Sequence, residues 1–388
     1  MSQIRLFFGK RQNGSMRKAV FIINSLAGGG AERIMARLAT HSPRENNELH
    51  LVLLDRDPEA YSVPDWVILH RLDTGGSLLQ GYFALRRLMG QLQPDYVLSF
   101  LTRANILAIA TRNAGKTRCV VSERVHTTSH HTHDLAGFVA RALTRLFYPR
   151  ADAVIAVSDG IARDLIDNYR VPADRIVVIP NPIDVAEVRA RAAESGEAIS
   201  FPRPLVVAMG RLVPNKNFGM LIDAFARQDG LGTLLILGEG PLREELQAQI
   251  DRAGLSDRVQ LQGFQANPFA TIAAADCYVL PSNGEGFPNG LIEAMIIGTP
   301  VVSTNCHSGP AEILDDRPYF TITEPTECKY GLLVPTNDVE AMARALATAL
   351  EPGQRQQRSE RAIAGAARYG LEATIAAYWD VLRGATRS

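Results

Sequence analysis

Short apolar runs rich in Val, Ile and Leu recur along this chain, each followed by a turn and then by a segment of helical periodicity, and that alternation leaves few folds open to it. The first run is AVFIIN (19–24), followed by Ser25–Gly30 and the helix-like AERIMARLAT. HLVLLD, DYVLSF, RCVVSE and ADAVIAVS repeat the strand signature. Helical patterns fill the gaps at QGYFALRRLMGQL, after Thr102 and at Leu135–Phe147. Strands separated by helices pair in parallel, because a crossover helix lets successive strands run the same way. The pattern restarts at PLVVAMG (204–210) and continues through TLLILGEG, VQLQGF, CYVLPS and VVSTN. Between the two series, IVVIPNPID (176–184) sets two prolines around Asn181 and runs into an Ala- and Glu-rich stretch, Val185–Ala198. The link between domains belongs there. The expected architecture is therefore α/β, with two Rossmann-like doubly wound domains: a leader over 1–18, a first domain over 19–184, a second over 185–365 and a helical tail over 366–388, broken near Gly370.

Composition agrees with two enzyme-sized units. At 388 residues the chain holds two or three domains by a prior of about 150 residues each. Its 46% hydrophobic and 21% charged residues are ordinary globular values and exclude disordered and fibrous classes. The four cysteines, Cys119, Cys277, Cys306 and Cys328, show no C-x-x-C spacing, which reads as reduced core thiols of a cytoplasmic protein. No window reaches the roughly 18 apolar residues that span a bilayer. Met1–Lys18 is basic but lacks the apolar core of a signal peptide, and Met16 is an alternative start. Net charge is zero, so no nucleic-acid partner is expected. Residues 1–185 nevertheless hold 23 Lys and Arg against 17 Asp and Glu, and the remainder carries the matching deficit. Such an excess is either solvated surface or a face for an anionic acceptor or an anionic membrane.

Chemistry concentrates at Pro281–Leu314, PSNGEGFPNGLIEAMIIGTPVVSTNCHSGPAEIL. Ser282, Asn283, Gly284 and Gly286 are loop formers whose backbone can approach a ligand closely, and Glu285 sits among them. Leu291–Ile296 reads as a helix that Gly298 and Pro300 stop, so Glu293 lies in its early turns, where the dipole favours an acid. Both carboxylates can face one pocket at a strand's carboxyl end. The spacing E-x7-E in this frame resembles the signature of retaining glycosyltransferases of family 4. That resemblance runs from Ile22 to about Tyr378, and it implies the GT-B fold, two Rossmann-like domains facing a central cleft, with a C-terminal helix crossing back to the first. SGPAEIL and YGLLVP are similar to transferases that build bacterial lipid-linked glycans, Pgl-type N-acetylgalactosaminyltransferases among them. The segment DDRPYFTITEPTECKY (315–330) departs from the pattern, being longer than the family's turn.

The other polar loops fit the same frame. Arg211 and Lys216 follow LVVAMG, at the end of a doubly wound sheet where ligands bind. Arg offers phosphate a bidentate fork and Lys a point charge, enough together to hold a diphosphate and stabilise it as it leaves. In GEGPLREEL, Gly238 and Gly240 are not completed by a third glycine, because Arg243 stands there, so the loop is a poor dinucleotide fingerprint. The resemblance places this loop, Gly263 and Phe264 near the nucleotide; each alone is as well read as a strand-end turn. Gly28, Gly29 and Gly30 precede a helix whose free N–H groups make an anion site or simply a tight turn, and the resemblance favours donor phosphates.

Ser122, Glu123, Arg124 and His126 match the S-E-R pattern of lipid-linked oligosaccharide transferases, implying an acceptor site with His126 as its catalytic histidine. His126, His130, His131 and His133 lack the Cys or carboxylate partners usual for zinc, so no metal is expected. Asp55-Arg56-Asp57 is similar to a metal-binding D-x-D but ends a first-domain strand, and it reads as structural. The helices around Leu79–Leu92, with Arg86 and Arg87, and Leu135–Phe147, with Arg141 and Arg145, are amphipathic and basic, as surface or membrane-resting helices are.

The reading implied is a retaining, metal- and cofactor-free glycosyltransferase of the cytoplasm or the inner membrane face. It moves a hexose or N-acetylhexosamine from a nucleotide sugar, UDP-linked, to a glycan carried on polyprenyl diphosphate, in surface polysaccharide or lipopolysaccharide assembly. Glu285, Arg211 and Lys216 are its expected catalytic residues, with Gly286, Phe287, Pro288, Asn289 and Glu293 completing the donor site. A sugar-nucleotide epimerase or a non-catalytic binding protein on the same fold are the alternatives.

Overall fold

The structure, a computed structural model, describes residues 16–125, 127–130, 135–194, 201–228 and 232–385. These group into two compact units: residues up to Val121 with the chain end from Leu382, and Ser122–Val381. In the first unit, β1 (Arg17–Ile23) is flanked by β2 (Asn47–Leu53) and β4 (Tyr96–Phe100), with β3 (Ile68–Arg71) outside β2. All these pairings are parallel, and Ala19 faces Leu49 on one side and Tyr96 on the other. β1 carries a continuous apolar run because it is covered on both faces: Ala19–Ile23 are all buried. The helix Gly30–Thr40 buries Ile34, Met35, Leu38 and Ala39 as one stripe. Leu78–Leu92 starts at Ser77, whose Oγ accepts from the Gln80 N–H at 3.3 Å, and ends at Gln93 in the left-handed conformation. β3 was not foreseen: ILHR is half-exposed and mixes polar with apolar residues.

β5 (Arg118–Glu123) spans the division between the units. In the second unit β6 (Ala153–Ala156) pairs in parallel with β7 (Ile176–Val178). The second sheet follows, built from β8 (Leu205–Met209), β9 (Thr233–Leu237), β10 (Val259–Gly263), β11 (Cys277–Leu280), β12 (Val301–Thr304), β13 (Thr326–Glu327) and β14 (Leu332–Val334). Its order is β10-β9-β8-β11-β12-β14-β13, parallel except for the antiparallel β13–β14 edge. Val206, Ile236, Val279 and Val302 from four of these strands pack with Phe218, Leu221, Phe225 and Leu346 from the covering helices. The helix Val185–Ala192, capped by Asp184, occupies the Ala- and Glu-rich stretch, and the tail forms two helices, Arg355–Ala366 and Leu371–Arg383, interrupted just before and at Gly370. Because the sheet is parallel, the loops after β8, β9, β10, β11 and β12 all emerge at its carboxyl end, and the second-domain site residues lie on those loops.

Candidate functional site

The loops after β8 and β11 are bonded to each other. Lys216 closes the short turn Pro214–Lys216, and its Nζ lies 2.5 Å from Oε1 of Glu285. Ser282 Oγ donates to the same oxygen at 2.6 Å. Asn215 Nδ2 donates to the Gly284 carbonyl at 2.6 Å, and the Asn283 N–H to the Asn215 carbonyl at 2.8 Å. The loop after β12 lies behind them. Thr304 Oγ1 donates to the Ser282 carbonyl at 2.5 Å and Ser308 Oγ to the Gly286 carbonyl at 2.8 Å. Burial pushes the Cys306 thiol up to about 12, and the nearby Glu285 charge adds to the effect. Gly286 allows this layering: a Cβ there would stand 2.0 Å from the Arg124 carbonyl.

Glu293 sits in the helix Asn289–Ile297 and is 1% exposed. The Tyr278 hydroxyl is buried with no hydrogen-bond partner among the described residues, and burial, then the Glu293 and Glu285 charges, drive its pKa upward. Arg211 differs from Lys216 in being exposed, and its guanidinium makes no ion pair among the described residues. Gly238 has φ 133°, and a Cβ there would meet the Gly210 carbonyl at 2.0 Å, while Gly240 crowds Leu212. Phe264, just past Gly263, is 80% exposed at the end of β10. Phe287 packs edge-on against Tyr369, and Pro288 precedes the helix that Asn289 begins. In the first unit, Gly28 and Gly29 lead into a helix that starts at Gly30, and the Glu32 carboxylate of its first turn stands over Gly29, where a Cβ would meet Oε2 at 2.2 Å.

Ser122, Glu123 and Arg124 lie in an internal network. Tyr148 OH donates to Glu123 Oε2 at 2.6 Å, the Arg124 N–H donates to Glu123 Oε1 at 3.0 Å, and burial holds this carboxyl above its usual range. The Arg124 guanidinium donates to Asn181 Oδ1 and, at 3.1 Å, to Tyr378 OH, which also lies 3.5 Å from Ser122 Oγ. Asn181 Nδ2 continues to Asn289 Oδ1 at 2.7 Å. Arg124 is thereby tied to the start of the Glu293 helix. His126 lies outside the described residues, as do His131 and His133. Asp55 is held by Arg103, Thr74 Oγ1 and the Gly76 N–H; burial raises its pKa but these bonds outweigh it, and the result is lowered. Among the described residues no group of His, Cys, Asp or Glu is placed to hold a metal, and no helix is long and apolar enough to cross a membrane.

Family models give these loops a context. The model described as Glycosyltransferase Family 4 matches residues 28–187, and that described as Glycosyl transferases group 1 matches residues 203–352. The N-acetylgalactosamine-N,N'-diacetylbacillosaminyl-diphospho-undecaprenol 4-alpha-N-acetylgalactosaminyltransferase of Campylobacter jejuni is 32% identical to this chain, over 87% of it and 91% of the relative. The chain belongs to glycosyltransferase family 4. A second Campylobacter jejuni N-acetylgalactosaminyltransferase, acting on GalNAc-alpha-(1->4)-GalNAc-alpha-(1->3)-diNAcBac-PP-undecaprenol, is 29% identical over 85% of the chain and 88% of its own length. Anabaena HepE in complex with UDP superposes with a TM-score of 0.74 at 21% identity, covering 95% of this chain and all of that one. Sucrose-phosphate synthase from Thermosynechococcus elongatus gives 0.77 at 18%, over 95% and 99%. The fold of this family 4 glycosyltransferase is GT-B.

Several residues that join these loops and helix starts were missed from sequence. Asn181 stood out only through its flanking prolines. Glu312 accepts from the N–H groups of Asp159 at 2.7 Å and Gly160 at 3.0 Å, and Ser158 and Ser308 hydroxyls meet at 2.7 Å. Burial raises the Glu312 carboxyl despite these bonds. A signal existed in SGPAEIL, where an acid three residues after Gly309 is a capping pattern.

Proposed function

We propose that this family 4 glycosyltransferase moves a hexose or N-acetylhexosamine, with retention, from a UDP-linked donor to a hydroxyl of a lipid-linked glycan. The observation that carries the reading is the Lys216–Glu285 pair at 2.5 Å, a cation and an acid held together at the carboxyl end of a parallel sheet. Lys216, joined by the exposed Arg211, meets the donor diphosphate; Glu285 turns to the hydroxyls of the donor sugar and Glu293 to the ribose. The loops at Gly238, Gly240, Gly263 and Phe264 take the nucleotide, with Gly286–Asn289 beneath the sugar. As the C1–O bond to the diphosphate breaks, the acceptor oxygen bonds to C1 from the same face and passes its proton to the departing phosphate oxygen. The products are UDP and the extended glycan. The positive side chains neutralise the charge that develops on the leaving group, so the step needs no metal. On the acceptor side we place His126, with Ser122, Glu123 and Arg124.

The lipid-linked acceptor is suggested by what the two Campylobacter relatives are named for, and a UDP donor by the UDP complex of the Anabaena neighbour. A nucleotide-release screen of UDP-sugars, with and without membrane extract and excess EDTA, tests the reading. Release that depends on extract and survives EDTA is expected. Loss with EDTA restored by manganese would overturn the metal-free step, and conversion of donor alone to an epimer would overturn transfer itself.

A further inference from the structure

The long segment 315–330 folds back onto the loop after β12. Asn305 Nδ2 donates to the Phe320 carbonyl at 2.6 Å, and the rings of His307 and Tyr319 stand 4.6 Å apart, tilted by 51°. Arg317 lies over the Phe320 ring at 3.5 Å and pairs with Asp315, which fixes the base of the excursion. His307 is in turn placed by its neighbours. Cys306, before it, has its buried thiol against the Glu285 loop, and Ser308, after it, donates to the Gly286 carbonyl at 2.8 Å. The His307 carbonyl abuts Gly160, where a Cβ would come within 2.5 Å. With its backbone fixed on both sides, the His307 side chain is exposed at the rim of the Glu285 loop, and Tyr319 is half-buried beside it. Next to this pair, Asn305 Oδ1 is buried with no hydrogen-bond partner among the described residues.

A half-buried tyrosine ring beside an exposed histidine ring, both polar at the edge, complements one kind of ligand well. A pyranose has an apolar C–H face for the rings and a hydroxyl rim for the polar atoms. We infer that the 315–330 segment builds a pyranose subsite on Tyr319 and His307, for the sugar of the donor or the terminal sugar of the acceptor; the inference rests on the nucleotide-sugar reading above.

Calorimetric binding separates the possibilities. The donor arm uses UDP-glucose and UDP-N-acetylgalactosamine, the acceptor arm uses octyl N-acetyl-α-galactosaminide, and UDP alone is the sugar-free reference. Tyr319→Ala and His307→Ala are each expected to weaken one arm about tenfold, the worth of a good aromatic contact, while UDP affinity stays unchanged. Tyr319→Phe, which keeps the ring, is expected to restore binding. Flat responses in both arms from both alanine variants, or a parallel loss of UDP binding, would overturn the subsite. Wild-type protein that binds no UDP would sink the nucleotide-sugar reading and the subsite together, whereas intact UDP binding with flat arms sinks the subsite alone.

Discussion

Lys216 and Gly286 define the site by opposite means, one by its charge and one by having no side chain. Leaving-group charge develops during the reaction, so Lys216→Ala should lower turnover about 100-fold while weakening UDP no more than about tenfold. Steady-state kinetics beside UDP calorimetry checks this, and equal losses would assign Lys216 to ground-state binding only. Gly286→Ala drives a methyl into the Arg124 carbonyl 2.0 Å away. A destabilisation of about 1–3 kcal/mol, with activity lost ahead of fold, is the expected result in urea titrations run beside the release assay. At this scale Arg211, Lys216 and Glu285 were candidates because each sits in a loop after an apolar run, in a frame that resembles E-x7-E; the structure brings Lys216 to Glu285 and leaves Arg211 exposed. Asn181 and Glu312 were not, because their partners Asn289 and Asp159 lie 108 and 153 residues away.

Elements followed the same logic. Strands covered on both faces, such as β1 and β8, announce themselves as unbroken apolar runs, whereas the half-exposed edge β3 does not. The helix Asp159–Tyr169 buries Ile161 and Leu165 but carries Asp159, Arg163, Asp164 and Asp167 among them, which blurs its period. The segment 315–330 escaped because its order comes from contacts with Asn305 and His307 and not from its own periodicity. Glu312 ties the helix it begins to the first turn of Asp159–Tyr169, and its carboxyl is raised, first by burial. An acid whose folded pKa is raised costs nothing below its unfolded value of about 4.3; the cost grows as pH climbs from there to the raised value, and is complete above it. Fully buried Glu123 contributes with the same sign. Urea unfolding across the acid range should therefore show the wild type losing stability relative to Glu312→Gln as pH rises. A variant with the wild-type slope would show that the carboxyl titrates alike in both states.

For the whole molecule, the two parallel sheets were readable from alternation alone, but the packing that organises their loops was not. The helix Leu78–Leu92 leaves Phe83 63% exposed beside Arg86 and Arg87, and Leu135–Phe147 leaves Phe138 63% exposed near Arg141 and Arg145. If these helices rest on anionic lipid, each basic residue adds about 1 kcal/mol near the surface. Co-sedimentation with anionic vesicles should then fall with salt and with Arg86→Glu/Arg87→Glu. Indifference to anionic vesicles at low salt would remove membrane docking from the reading. The contact between Lys216 and Glu285 has a consequence for the molecule as a whole if the proposed roles hold. On the roles proposed, an anion offering only phosphates must part that pair and leave Glu285 with the Ser282 hydroxyl but without its cation, while an intact sugar nucleotide supplies hydroxyls to the acid as it takes the lysine. The pair thus favours donor over spent product: the inhibition constant of UDP should exceed the dissociation constant of the intact donor, and Glu285→Gln should narrow the gap by easing UDP in, so that an enzyme working where UDP accumulates is not held by it.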